Sequence, residues 1–419
     1  MSHPALWPSP WPAEDGGPSR RQAAHGPGLA IGPGERLSAS HRFAIASTMV
    51  VLRDPGEVYL LGHTAGDGAI SWVEQIDPHT LEPIRRSPDL PGGPTWPGGI
   101  AAHANGSLYV VFGRHAHRLA PDLTVLASIE LPHNRPYNSF VVLPDGCIAT
   151  KDFGGARPGV ETPSADPCEL LVLEPESLAV VGRLVLPEPS VARLSADGDD
   201  IHVVGVTRFM RVRWTGAELL LDESIGDAVY RTLPGQTHGW DAVIDAGAAW
   251  FLDDGAGSER YAGSFRGIGI SECPLHLVRV GLVDGAVSLT EVCGLPLGLI
   301  ANPPAVDPVR RVVVGYDSAN GIVTAFRFDD DGATSPLWTR PLHHAAHPLR
   351  FADTGELVLC DHDAERGVDQ VVVVDIETGA ERGRVDTGSP VQSVLFLAPG
   401  FDRDLYVCSF AGVARITVG

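Results

Sequence analysis

Residues 50–63, VVLRDPGEVYLLGH, decide the fold: an apolar run, a tight Asp-Pro-Gly turn, a second apolar run, then polar residues. The pattern returns as IAAHANGSLYVVFG (100–113), FVVLPDGCIATKD (140–152), LSADGDDIHVVG (194–205), AVIDAGAAWFLDDG (242–255), NPPAVDPVRRVVVGYD (302–317), LRFADTGELVLCDHD (349–363) and VLFLAPGFDRDLYVCS (394–409). Strand-rich self-similarity at a period of roughly 40–50 residues is the signature of a β-propeller, in which each repeat is one blade.

Working outward from residues 50–63, SWVEQID and PIRRSP supply two further extended segments before TWPGG opens the next unit. That gives the four strands of a blade. Starts near Thr48, Pro97, Asn138, Val191, Trp240, Ile300, His347 and Gln392 predict eight blades, or seven if one unit is an insertion. The last unit ends at GVARITVG after three strands, and a ring left open exposes strand edges. The segment LSASHRFAIAS is expected to complete it, bringing the region around Phe43 against the strand around Ile416. The class is therefore all-β, with residues 37–419 forming one propeller domain. Residues 1–36, with LWPSPWP near their start, are too proline-rich for a strand or helix interior. This arm either docks through Trp7 and Trp11 or remains a tail.

Composition narrows the partners. Lys and Arg number 31 against 52 Asp and Glu, a net charge of −21, which lacks the basic footprint of a nucleic-acid binder. No stretch approaches the roughly twenty apolar residues of a membrane-spanning helix. Arg20 and Arg21 resemble a twin-arginine export signal, but no apolar segment of signal length follows them, so a cytoplasmic location is expected. The six cysteines form no CxxC pair, and several sit where small buried hydrophobes belong. A small-molecule substrate is the expected partner.

Two blades resemble known propellers. VVVVDIETGAERGRVDTGSPVQSVLF (371–396) is similar to the YVTN-type repeat, with an acidic strand end before a Thr-Gly turn. RPYNSFVVLPDGCIATKD (135–152) resembles a blade of the gluconolactonase and senescence-marker type, where an Asn opens a blade before a Pro-Asp-Gly turn. In that type the Asn is a metal ligand, a role the resemblance implies for Asn138.

In a propeller, the starts of the innermost strands and the loops after the second strands meet on one face around the channel. Polar residues at those places are Asn138, His238, Trp240, Asp241, Asn302 and His347 in the first set. The second set includes His63, Lys151, Asp152, Asp254, Tyr316 and His362. Two long insertions follow second strands, after Lys151–Asp152 and after Asp253–Asp254, and both are expected to rise over this face. Oxygen and imidazole donors converging on one funnel suit a divalent ion such as Ca²⁺, Mg²⁺, Zn²⁺ or Fe²⁺. The expectation is thus a metal-dependent hydrolase of lactonase type, or a lyase or isomerase. Asn138, Asp152, Asp254, Asn302 and His362 are the candidate ligands, and His238, His347, Asp241 and Lys151 the proton-transfer groups. Trp240, Tyr316, Arg260 and Arg266 would contact substrate. The alternative is a non-catalytic propeller that binds a ligand or a protein; an iron-histidine oxygenase of the carotenoid-cleavage type is a minor one, since its histidine motifs are not matched. No G-x-S-x-G, P-loop or H-E-x-x-H motif occurs.

Overall fold

The computed structural model describes residues 3–24, 28–155, 164–225, 228–392 and 396–419. Eight antiparallel sheets stand around one axis, making an all-β, eight-bladed propeller. Blades 1 to 7 occupy residues 47–93, 99–130, 137–185, 195–229, 243–291, 305–341 and 349–386 in order; blade 8 combines 397–418 with 37–43. Each innermost strand begins within about five residues of the start expected from the repeat.

The repeat motif is the hairpin of the two inner strands. Its turn carries a glycine in the left-handed region, as at Gly56, Gly106 and Gly146 with φ of 88°, 89° and 90°, which other residues adopt only with strain. Both strands of blade 1's inner hairpin, Ser47–Leu52 and Val58–His63, are buried along their whole length, because neighbouring blades cover both faces of the sheet. Hence these strands read as continuous apolar runs and not as an alternation. The outer strand Pro83–Arg86 is exposed throughout.

Leu37–Phe43 closes the ring as the outermost strand of blade 8. It pairs antiparallel with Gly412–Val418, placing Ala39 opposite Ile416 and Phe43 opposite Gly412. The expected contact is made.

The arm docks, and it does so inside the ring. Its backbone bonds to the far ends of the innermost strands: Leu52 N–H to Trp11 O, Ala102 N–H to Pro12 O, Ala196 N–H to Pro18 O, Ile244 N–H to Ser19 O and Arg350 N–H to Gln22 O, at 2.7–2.9 Å. Ala23–Ala24 adds a short parallel strand beside Arg350 and Phe351. Trp11 is 1 % exposed and joins the core of blades 1, 2 and 8. The inner strands of five blades end with N–H groups facing the axis, and the arm supplies the carbonyls they need. It therefore plugs one end of the channel. All six cysteines are free thiols.

Candidate functional site

Where the innermost strands begin, the channel opens into a cavity of about 420 Å³. With its far end plugged, the cavity is blind. One wall is aromatic: Trp96 stacks on Phe153 (ring centroids 4.7 Å) and on Trp240 (5.9 Å, 15° between planes). Trp96 and Trp240 hold equivalent positions, each three residues before the innermost strand of its blade. His63, Asn302 and Phe410 add to the lining from other blades.

The insertion of blade 5 forms a roof. From Asp254 it crosses the mouth to blade 8, where Tyr261 donates its hydroxyl to Gln392 O at 2.8 Å. Phe265 N–H and Ser264 Oγ donate to Gln392 Oε1, and Gln392 N–H donates to Gly263 O. Ser258, Tyr261 and Phe265 line the cavity from this segment. The described ends of the blade 3 insertion are tied down through Arg135, which donates to Ser164 and to Asp166 O; residues 156–163 lie outside the described residues.

Arg193 forms the floor and belongs to a cluster of six ionisable groups buried together. The arm contributes Glu14, Asp15 and Arg20; the blades contribute Arg193, Asp241 and His347. Glu14 Oε1 lies 2.9 Å from both Arg20 Nη1 and Arg193 Nε. Asp241 accepts from Arg193 N–H at 2.6 Å and Nη1 at 3.2 Å. Asp15 pairs with Arg20 at 3.0 Å and with His347 Nδ1 at 2.8 Å. Burial alone would raise the Asp15 carboxyl, but His347 and Arg20 outweigh it and hold it below its usual range. Charges this deep persist only as partners.

The expected site residues are distributed as follows. Trp240 and Asn302 line the cavity. His347 and Asp241 belong to the network below it, His347 Nε2 being 3.8 Å from Asp241. Lys151 is wholly buried with only the carbonyls of Ser190 (3.2 Å) and Asp152 (3.4 Å) as hydrogen-bond acceptors, and burial lowers its pKa. His238 is half-buried; burial pushes its ring down to about 4, and no hydrogen bond links it to Asp241, whose oxygens serve Arg193. Tyr316 is buried with its ring edge-on to His344. Arg260 and Arg266 are exposed on the insertion, and neither pairs with Asp253 or Asp254.

Asn138 and Asp152 share blade 3, whereas Asp254, Asn302 and His362 stand at three other blades. Asp152 is spent on His133, Arg135 and the Glu169 N–H. Asp254 Oδ1 accepts from Thr237 N–H and from Ser271 Oγ at 2.5 Å, while burial and the adjacent Asp253 carboxylate raise its pKa to about 7. Asn302 donates to Ala345 O. His362 is buried in blade 7 away from the cavity lining. The side chain of Asn138 lies outside the described residues. Among the described residues no three His, Cys, Asp or Glu side chains form a group able to hold a metal. Asp152, already committed to guanidinium, imidazole and backbone donors, does not fit a divalent ion, and Asp254 stands in no group of three such side chains among the described residues.

No known protein family and no curated protein matches the chain. Solved structures match it by shape. BamB from Moraxella catarrhalis is 13 % identical, covering 90 % of this chain and 100 % of its own, with a TM-score of 0.57. A quinohemoprotein alcohol dehydrogenase from Comamonas testosteroni is 11 % identical, covering 99 % and 80 %, with a TM-score of 0.63. The computationally designed Ika8 protein is 12 % identical, covering 89 % and 96 %, with a TM-score of 0.55. These likenesses establish the propeller. An enzyme stands among the similar structures, but at such identities only the fold carries over.

Trp96, Arg193 and the acidic pair of the arm were not among the sequence candidates. TWPGG marked only a blade boundary, although Trp96 occupies the same blade position as Trp240. Arg193 and Glu14 meet across the ring, and no local pattern announces that.

Proposed function

We propose that the protein binds a small, flat organic molecule in the blind cavity, with the ligand lying against the Trp96–Trp240 wall under the roof of residues 254–275. The observation that carries this reading is a concave site of about 420 Å³ whose wall is aromatic and whose floor is one guanidinium. Ligand pockets combine an apolar lining with a few placed polar groups in this way. The test is a thermal-shift and calorimetric screen of small aromatic compounds against the wild type and Trp96→Ala. Trp96 is half-buried, so its truncation leaves the core in place. Binding that disappears in the variant is expected; binding that survives unchanged would move the site elsewhere.

A second reading, turnover of the ligand, is favoured by His63. Its Nδ1 is 2.7 Å from Thr64 O, which places the proton on Nδ1 and leaves Nε2 as the basic nitrogen. Burial lowers its pKa, so the ring is neutral at pH 7 and able to accept a proton. Consumption of a bound ligand by the wild type, abolished in His63→Gln with binding retained, is the expected result. No step of this reading runs through a metal.

A further inference from the structure

Resting on the proposed ligand site, the charge arithmetic of the cavity floor identifies the chemistry of the ligand's polar end. Arg193 is 4 % exposed and borders the cavity. Its Nε faces Glu14 and its Nη1 faces Asp241. Nη2 makes no hydrogen bond among the described residues, and Arg193 lines the cavity, so this is the corner of the guanidinium that remains for a ligand. A donor of this kind calls for an acceptor oxygen.

The oxygen's charge follows from what surrounds Arg193. Three carboxylates, Glu14, Asp15 and Asp241, face two guanidiniums, Arg193 and Arg20, with His347 between Asp15 and Asp241. Among the described residues the Lys151 side chain donates to the carbonyls of Asp152 and Ser190 and makes no ion pair with this cluster. Arg193 is thus already neutralised by two acids in contact with it. A ligand carboxylate would put a fourth negative charge into a buried cluster and would also lose its hydration. An uncharged carbonyl takes the same hydrogen bond without either penalty. A cationic ligand would set a positive charge against Nη2 and offer it no acceptor.

We propose that the cavity selects a flat, uncharged carbonyl compound, such as an aryl ketone, amide or lactone, whose carbonyl oxygen accepts from Arg193 Nη2 while its ring lies on Trp96 and Trp240.

Isothermal titration at pH 7 with 2-acetylnaphthalene, 2-naphthamide, 2-naphthoate and naphthalene tests this on the full-length protein. The ketone and amide should bind about tenfold or more tightly than the naphthoate and the hydrocarbon. Glu14→Gln uncovers part of the Arg193 charge, so the naphthoate should gain several-fold relative to the amide. Thermal melts confirm that each variant is folded, and the wild-type ranking decides the matter if Glu14→Gln is not. Naphthoate binding as tightly as the amide overturns the proposal, as does naphthalene binding as tightly as the ketone. Trp96-dependent binding without any carbonyl preference removes this inference and leaves the ligand site standing. Absence of Trp96-dependent binding by all four removes both.

Discussion

His347 Nδ1 lies 2.8 Å from Asp15 Oδ1, a contact between residues 332 positions apart that fastens the N-terminal arm to the entrance of blade 7. Both side chains are 1 % exposed. Truncating one member of such a buried pair strands the other and typically costs about 3–5 kcal/mol. Asp15→Ala and His347→Ala should each lower the unfolding free energy from urea titration by that order. The double variant should fall well short of the sum, since the second truncation removes the stranded charge. Additive losses would show that the pair is not coupled.

Asp15 and Asp254 make opposite contributions to the pH dependence of stability. Asp15 is held below its usual pKa when folded, so its stabilisation is complete above about pH 4 and disappears as pH falls through the folded value. Asp254 is raised to about 7, so the folded protein holds a proton that the unfolded chain has released. Stability from this group falls as pH rises from about 4 to 7, by roughly 2–4 kcal/mol. Asp254→Asn, which keeps an acceptor for Thr237 and Ser271, should flatten the curve between about pH 4 and 7. An unchanged slope between pH 5 and 8 in that variant would contradict the raised pKa.

Gln392 fastens the roof through the Gly263, Ser264 and Phe265 contacts and is anchored by donation to His343 O at 2.7 Å. Gln392→Ala removes the side-chain bonds to Ser264, Phe265 and His343 but keeps the main-chain bonds to Gly263 and Tyr261, so it should loosen the insertion while leaving the blades intact, at a cost of about 1–3 kcal/mol. Trypsin then has two exposed targets, Arg260 and Arg266. Faster cleavage at these sites, with a faster ligand off-rate, is expected. Cleavage no faster than in the wild type would mean that other contacts hold the roof.

Because Asp152 spends both oxygens on protein donors and Asp254 stands in no group of three metal-binding side chains among the described residues, chelation should change neither melting temperature nor ligand affinity. A fall on EDTA treatment that is reversed by Ca²⁺ or Zn²⁺ would restore a divalent ion to these carboxylates.

The fold was legible because the hairpin turns interrupt two largely buried runs, and because GVARITVG leaves a blade one strand short. The site was only half legible. Trp240 and Asn302 could be placed at the channel from their position before an inner strand. His347 shares that position but is claimed by Asp15, a partner no periodicity reveals. Arg20 drew notice as half of an apparent export signal, whereas it is a buried bridge between Glu14 and Asp15. Charge networks between distant segments follow from three-dimensional closure, and repeats encode only what recurs.

Closure by Leu37–Phe43 also sets an order of events in biosynthesis. Leu37–Phe43 is synthesised before the intervening blades and must wait for Gly412–Val418 before its strand has a partner. Meanwhile the arm can enter the axis only as the blades curve around it. Such long-range pairing is slow to form. The nascent chain therefore carries Trp7, Trp11 and an unpaired strand edge while the intervening blades are made, a stage at which a chaperone would find its clearest target.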